Sequence, residues 1–292
     1  MLSMFLYSIL SHRDGNVLQV VDQAGRCANT IIQYNCAIVA TAQSLRICYD
    51  RFEMFAGTMA QTMTITRNEQ EAMSFANSIL TEELEPLRLR LLYHPLWTGI
   101  EAGTVQRETL RVFALQDWWL VREAYRLDAL AVAGIPDLDM QDLLLAKLVP
   151  KIGGYKLLLR FGEALGLSRA DFDAVEPLAG CMALTNFFYW MLVYGSAPEK
   201  IAAVSASEDI FIQICARVGP ALMRNYGMSA EQVAFFTAHD EIGAKVTPID
   251  DILLARYNTL EDRHRITRAV RLSHEFELMF YDTVMAATLT EK

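Results

Sequence analysis

The sequence predicts an all-α protein, a bundle of seven or eight helices. From Met63 onward, helix-capping signals recur along the chain. Between these signals, apolar residues return with the three- to four-residue spacing of a helix. No segment shows a convincing alternation of apolar and polar residues between hairpin turns, which is the pattern expected of a strand. We therefore expect helices to build the whole core.

The capping signals mark where the individual helices begin and end. Pro95 can open a short helix that Gly103 closes. Four pairs have the spacing of a capping box or of its acidic variant, and these are Ser168 with Asp171, Ser196 with Glu199, Ser229 with Gln232, and Thr259 with Asp262. The remaining predicted helices cover the ranges 69–92, 105–133, 137–165, 177–195, 198–226, 229–257 and 260–287.

Residues 1–62 differ in character from the rest of the chain. They carry three of the five cysteines, a turn at "SHRDGN" and short apolar runs without clear helix caps. We predict an N-terminal extension over 1–62 and a helical domain over 63–292. A pair of extra helices docked on the main domain is the alternative.

Composition narrows the classes of function. The chain has 292 residues, of which 53% are hydrophobic, and a net charge of −9. This acidic balance argues against a nucleic-acid partner, and no apolar run is long enough for a membrane span. The five cysteines form no C-x-x-C pair, so we interpret them as small buried side chains. We expect a cytoplasmic protein that forms a homo-oligomer, a dimer or a tetramer.

One acid interrupts an apolar helical stripe. In "QDWWLVRE", Asp117 lies about 40° around the predicted helix from Phe113, among residues that should face the core. Helical bundles build internal sites from polar side chains placed in this way. The signatures GxGxxG, GxxxxGK[ST], HExxH and GxSxG are all missing, so the common nucleotide and hydrolase motifs give no guidance.

Several stretches resemble a known superfamily. "LLYHPLWTGIEAGTVQRETLRVFALQDWW" is similar to the opening of TenA/PqqC proteins, which share the haem-oxygenase-like helical fold. "LDALAVAGIPD" and "LLRFGEALGLSRADF" resemble segments of pyrroloquinoline quinone synthase, PqqC. "HEFELMFYD" is similar to the last helix of the TenA thiaminases. The resemblance runs from about Leu91 to Asp282 and implies a haem-oxygenase-like bundle.

The comparison with TenA assigns roles to two acids. Asp117 falls on the aspartate that binds the pyrimidine amine, and Glu277 on the catalytic glutamate. The TenA nucleophilic cysteine would fall near Ser207, and no cysteine is closer than Cys215. Leu184 stands in place of a pocket tyrosine. The resemblance therefore implies a TenA-like pocket without its thiolate.

The comparison with PqqC brings in other residues. Glu208 falls on a glutamate of the PqqC pocket, and His94 on a histidine that precedes a proline. Cys215 stands where PqqC has a histidine, and His239 replaces an arginine. The basic cavity that PqqC uses for a polycarboxylated substrate is therefore incomplete.

Related di-iron oxidases place carboxylates and histidines on facing helices. Gln116 and Glu123 have the i, i+7 relation of their first ligand helix, but a glutamine is a poor iron ligand. Gly243 and Val246 occupy the positions four and seven residues after His239, where that group has further ligands. We therefore expect no dinuclear iron and assign no metal ligand. The sequence does not identify any other cofactor.

Our leading hypothesis is a ligand cavity in the middle of the bundle. Four catalytic candidates from four helices would line it, namely Asp117, Glu208, His239 and Glu277. Burial should raise the pKa values of the three acids. To substrate binding we assign His94, Gln116, Glu123 and Cys215. A buried cation partner is the structural alternative for Asp117 or Glu123, and a hydrogen-bonded place in the core is the alternative for His239.

The resulting functional prediction is a biosynthetic enzyme of the PqqC/TenA type. We expect oxidoreductase-type chemistry on a small N-heterocyclic or amino-acid-derived substrate. Two alternatives stay open: a non-catalytic small-molecule-binding or regulatory protein, and a TenA-type aminopyrimidine hydrolase that lacks the usual cysteine and uses Asp117 and Glu277.

Overall fold

The computed structural model describes residues 83–289, except for the side chains of 240, 242, 244–248 and 289. These residues belong to the unit that runs from Met63 to Lys292. Eleven α-helices and a 3-10 turn, Val149–Lys151, occupy the described range; the helices are α1 Glu85–Leu92, α2 Pro95–Ala102, α3 Arg107–Val121, α4 Ala124–Ala133, α5 Leu138–Leu148, α6 Gly154–Ala164, α7 Arg169–Ala174, α8 Ala179–Tyr194, α9 Ala197–Tyr226, α10 Ala234–Leu254 and α11 Leu260–Leu289. No strand occurs between residues 83 and 289, so the predicted all-α class is confirmed.

The predicted caps set the ends of the long helices. At the start of α9, Ser196 and Glu199 form a capping box. The Thr259 backbone N–H and hydroxyl both donate to the Asp262 carboxylate before α11. Gly103 ends α2 at a φ of 71°, a left-handed conformation in which a side chain would be strained. Local hydrogen bonding therefore accounts for these helix boundaries.

Two predicted helices are each divided into two. The predicted helix 105–133 is interrupted after Val121 and resumes at Ala124. The predicted helix 137–165 is interrupted by the 3-10 turn around Pro150 and by Gly153, whose φ is 86°. Pro150 has no N–H to continue the helical hydrogen bonds, and only glycine adopts such a φ readily. Both breaks place side chains at the cavity described below.

The core is built around three long helices. α9 packs along α10 and α11, and α8 packs on α11. Aromatic rings connect the surrounding helices: the Phe113 ring centroid lies 5.3 Å from that of Trp97 and 6.1 Å from that of Phe236. Phe236 in turn lies 5.1 Å from Phe161. These ring contacts connect α2, α3, α6 and α10.

Several predictions concern residues or properties beyond the described part of the chain. The extension 1–62 lies outside the described residues, and so do Cys27, Cys36 and Cys48. Cys181 and Cys215 are buried, as predicted. In the part of the chain that the structure describes, no helix is sufficiently long and apolar to cross a membrane. The cytoplasmic location, the homo-oligomer and the lack of a nucleic-acid partner stay predictions.

Candidate active site

A cavity of about 240 Å³ lies inside the bundle. Apolar and aromatic side chains form most of its wall, including Phe113, Leu120, Leu184, Phe188 and Phe235. The charged and polar groups in the wall are Asp117, Tyr125, Asp128, Lys151, Tyr155, Ser207, Glu208, His239, Glu277 and Tyr281. A mostly apolar cavity with a few convergent polar groups is typical of a small-molecule site. All four catalytic candidates face it, from α3, α9, α10 and α11.

Asp117 is a buried carboxyl without a partner. It is 8% exposed, and none of the described residues donates a hydrogen bond to it. Burial raises the pKa of Asp117 from 3.8 to about 7, because a charge is poorly solvated there. Since no buried cation pairs with it, its unsatisfied oxygens are available to a ligand in the cavity.

Glu277 sits between two hydroxyl donors. Ser207 donates to Glu277 Oε2 at 3.0 Å, and Tyr281 donates to Oε1 at 2.5 Å. Burial raises the pKa of Glu277 to about 7, against the lowering effect of the two hydrogen bonds and with a smaller raising effect from Asp117. A carboxyl with a pKa near neutral pH can both take up and release a proton, as general acid–base catalysis requires.

Glu208 behaves differently from the other two acids. Its carboxylate lies 3.0 Å from Lys147 Nζ and also pairs with Lys151. Burial acts to raise its pKa, but the two lysines prevail and lower the pKa of Glu208 to about 2. The predicted raised pKa is therefore wrong for Glu208. This acid stays ionised in an ion-pair cluster that also includes Asp250, the second partner of Lys147.

His239 lies in the cavity wall as a neutral ring. Its Nδ1 donates to the Phe235 carbonyl oxygen at 2.5 Å, since a carbonyl can only accept. The rings of Phe211 and Phe235 flank it, with centroids 4.9 and 5.0 Å away. Burial lowers the pKa of His239, which leaves Nε2 without a proton at neutral pH. His239 can therefore accept a hydrogen bond from a ligand.

The four residues assigned to substrate binding do not line the cavity. His94 caps α2, where its Nδ1 accepts from the Leu96 N–H, and its Nε2 lies 3.1 Å from Asp282 Oδ1. Glu123 accepts from the Tyr189 hydroxyl at 2.6 Å and pairs with Arg126. Glu123 does not reach the cavity because the helix breaks after Val121, and Glu123 therefore leaves the helical face on which Asp117 lies.

Gln116 and Cys215 are packed into the protein. Gln116 Nε2 donates to the Glu176 carbonyl oxygen at 3.1 Å, and its Oε1 accepts from the Leu178 N–H at 2.8 Å. Both ends of the amide are thereby used to hold the segment before α8. Cys215 is fully buried on α9. Neither side chain lines the cavity, and their contacts with substrate stay a prediction.

The double hydrogen bond of Gln116 leads to a stability prediction. We expect Gln116→Leu to lower the free energy of unfolding by about 2 kcal/mol, because a backbone N–H and a carbonyl lose their partner. Urea unfolding followed by circular dichroism measures the change. Gln106→Leu is the control, since Gln106 is exposed and makes no side-chain cap at the start of the same helix. An unchanged stability together with lost ligand binding would restore Gln116 to the site.

The sequence-based prediction did not assign a role to three residues of this region, two lysines and one tyrosine. Lys147 is 4% exposed on the inner face of α5, and Lys151 follows one helical turn later. The sequence does carry a signal for Lys147, which shares a helical face with Leu143 and Leu144. A lysine on such a face indicates acidic partners nearby, because a buried lysine needs them. Tyr281 follows Glu277 by four residues on α11, the spacing of side chains that meet on one helical face.

A metal ion needs several nitrogen, oxygen or sulfur ligands that converge on one point. Within residues 83–289 no group of three or more His, Cys, Asp or Glu side chains is arranged to hold one. Glu208 is occupied by two lysines, and His239 is a single imidazole beside it. The expectation that the protein binds no dinuclear iron stays a prediction for metal analysis.

The bundle with its internal cavity has the heme oxygenase-like fold. A domain of unknown function with this fold from Shewanella denitrificans superposes with a TM-score of 0.58 at 19% identity, over 78% of this chain and 94% of that chain. A TenA homologue from Pseudomonas syringae pv. tomato superposes with a TM-score of 0.64 at 14% identity, over 71% of this chain and 91% of that chain. At such identities the likeness shows the fold alone.

The chain belongs to the TENA/THI-4/PQQC family, whose model matches residues 81–287. An aminopyrimidine aminohydrolase from Halalkalibacterium halodurans is 30% identical over 134 residues, which is 45% of this chain and 59% of that protein. The match thus spans less than two thirds of this relative. The predicted superfamily and fold are confirmed, while a closer relation to PqqC stays a prediction.

Proposed function

We propose that the protein is a TenA-type hydrolase that removes an amino group from an aminopyrimidine bound in the cavity. The observation that carries the proposal is the pair of buried acids, Asp117 and Glu277, facing one apolar cavity with pKa values of about 7. The similarity to an aminopyrimidine aminohydrolase supports the same chemistry. These findings favour the hydrolase alternative over the oxidoreductase that the sequence analysis ranked first.

Asp117 has the chemistry to bind the heterocycle. A ring nitrogen and a neighbouring exocyclic amino group form an edge with one acceptor and one donor. A protonated carboxyl group meets this edge with two hydrogen bonds, and a carboxylate does so when the ring nitrogen carries the proton. The pKa of about 7 makes both pairings available to Asp117. Apolar side chains such as Leu120 and Phe113 supply the walls against which a flat ring packs.

Glu277 has the chemistry for proton transfer. Hydrolysis exchanges the amino group for a hydroxyl: a water oxygen bonds to carbon, the carbon–nitrogen bond breaks and ammonia leaves. The Glu277 carboxylate takes a proton from the attacking water and passes it to the departing nitrogen, so that Glu277 ends as it began. Tyr281 and Ser207 fix the two oxygens of the base.

Ser207 acts on Glu277 as a positioning residue in this proposal. Its hydroxyl donates to the carboxylate and stabilises the ionised form, which lowers the pKa of Glu277. A serine hydroxyl is a weak nucleophile at its ordinary pKa, and the Glu277 carboxylate that accepts from Ser207 serves in this proposal as the base for water. We therefore assign the attack to water and assign Glu277 as the base.

An assay for ammonia release from aminopyrimidines tests the proposal. We expect release by the wild-type protein and a loss of about tenfold in kcat/KM for Ser207→Ala, because the base loses one orienting hydrogen bond. The rising, acidic limb of the Ser207→Ala pH profile should move to higher pH, since the pKa of Glu277 rises without that hydrogen bond.

Ser273→Ala is the matched control, because the Ser273 hydroxyl donates to the Ala203 carbonyl oxygen and does not reach Glu277. Complete inactivity of Ser207→Ala would show that Ser207 is itself the nucleophile. Tight aminopyrimidine binding without ammonia from the wild-type protein would favour the non-catalytic binding alternative.

A further inference from the structure

The cavity has a second polar end, separate from Glu277. Asp128 on α4 and Lys151 in the 3-10 turn line the main cavity there. Both also line a smaller neighbouring pocket, and Val204 is shared in the same way. Asp128 and Lys151 thus stand where the two spaces meet, and a ligand arm that leaves the main cavity would pass between them.

The pair leaves hydrogen-bonding capacity unused. Lys151 Nζ lies 3.8 Å from Asp128 Oδ1, which is too far for a hydrogen bond. One of the three ammonium donors is directed to Glu208. No described residue donates a hydrogen bond to the Asp128 carboxylate, although its side chain is only 14% exposed. The Asp128 carboxylate, which can accept hydrogen bonds, and the remaining N–H donors of Lys151 therefore face the same part of the cavity without bonding to each other.

The surrounding charges decide what kind of group belongs there. Two lysines, Lys147 and Lys151, are set among three acids, Asp128, Glu208 and Asp250. An ammonium arm could donate to Asp128 but offers Lys151 no acceptor, and a carboxylate arm could accept from Lys151 but offers Asp128 no donor. Either would leave one side of the pair unsatisfied. A neutral group changes no charge and can satisfy both free sides at once.

We propose that Asp128 and Lys151 form a subsite for a neutral ligand arm that both donates and accepts hydrogen bonds, such as a primary carboxamide. The carboxamide N–H₂ donates to Asp128, and its carbonyl oxygen accepts from Lys151. The inference rests on the proposed function for the pyrimidine ring of the ligand, and on these contacts for the arm.

The test uses ligands that carry the arm without a pyrimidine, so that it does not depend on aminopyrimidine binding. Isothermal titration calorimetry on the full-length protein compares phenylpropanamide with three analogues that differ from it only at the end of the arm: phenylbutanone, phenylpropanoate and phenylpropylamine. We expect the amide to bind about tenfold more tightly than the ketone, because only the amide donates to Asp128. The charged analogues should bind no better than the ketone.

Two variants locate the effect. Asp128→Leu should abolish the advantage of the amide over the ketone. Lys151→Met should weaken both ligands about tenfold. Lys156→Met is the control, because Lys156 is exposed and lies outside the cavity wall. If Lys151→Met fails to fold, Asp128→Leu decides alone.

Three results would overturn the inference. Equal binding of amide and ketone would show that no such subsite exists. Preference for the carboxylate, lost in Lys151→Met, would show an anion site. Preference for the amine, lost in Asp128→Leu, would show a cation site. Failure of the proposed function has a different signature, the absence of aminopyrimidine binding and of ammonia release, and the phenyl series reports on the arm in either case.

Discussion

Glu277→Gln is expected to reduce kcat/KM for ammonia release by about 100-fold or more, the usual contribution of a general base. Glutamine keeps the shape of the side chain, and its single amide oxygen can still accept from one of the two hydroxyls, Ser207 or Tyr281. Its amide nitrogen faces the other hydroxyl, and the side chain takes up no proton. The wild-type rate should rise as the pH passes about 7, because Glu277 acts as a base only when ionised. The variant should lack this rise.

The neighbouring glutamate provides the control. Glu275 lies on the same helix but is exposed and pairs with Arg271 at 2.9 Å. Glu275→Gln should retain wild-type kinetics. Aminopyrimidine affinity, measured by calorimetry, should change little in Glu277→Gln, because Asp117 holds the ring. Retention of more than a tenth of the activity would mean that Glu277 is not the base.

The fold was largely predictable because its signals are local. The capping boxes at Ser196 and Thr259 lie next to the helices that they start, and the predicted starts of α9 and α11 agree with the structure to within a residue. The break at Pro150 and Gly153 was not predicted, although both residue types are signals for one. The break after Val121 has no such signal, since neither proline nor glycine occurs there and Glu123 instead contacts Tyr189 on α8.

For the candidate site, the sequence predicted which residues lie on the inner face of a helix, but not which partners reach them from other helices. Asp117 stands out because it is an acid on an apolar face, whereas Glu277 was reached through the resemblance to TenA, and both face the cavity. The expectation that burial raises the pKa is wrong for Glu208. The difference lies in Lys147 and Lys151, which reach Glu208 from another part of the chain. Spacing along one helix carries no information about such partners.

Asp117 and Glu208 therefore allow a paired stability experiment. Asp117→Asn replaces a buried carboxyl that has no partner, whereas Glu208→Gln replaces one that has two. At pH 8 we expect Asp117→Asn to stabilise the fold by on the order of 3 kcal/mol, because the wild-type protein buries an unpaired charge. We expect Glu208→Gln to destabilise it by about 3–5 kcal/mol, because the lysines lose their shared partner.

The pH dependence distinguishes the two effects. The folded-state pKa of Asp117 is raised from 3.8 to about 7. Its contribution to stability is therefore complete below about pH 4 and is lost as the pH rises through 7. The advantage of Asp117→Asn should accordingly be smaller at pH 5 than at pH 8. The folded-state pKa of Glu208 is lowered from 4.5 to about 2, so the cost of Glu208→Gln should be nearly the same at both pH values.

Aminopyrimidine affinity is the second property that Asp117→Asn should change. The same Asp117→Asn protein should bind aminopyrimidines at least about tenfold more weakly, because the neutral amide cannot form the charge-assisted pair with the ring edge. Chemical denaturation at pH 5 and pH 8, with calorimetry on the same samples, measures both properties. Greater stability with weaker binding is the signature of an acid that is kept for its ligand. A loss of stability in Asp117→Asn at pH 8 would instead mean that Asp117 has a structural partner in the folded protein, and the cavity would then need another anchor for the heterocycle.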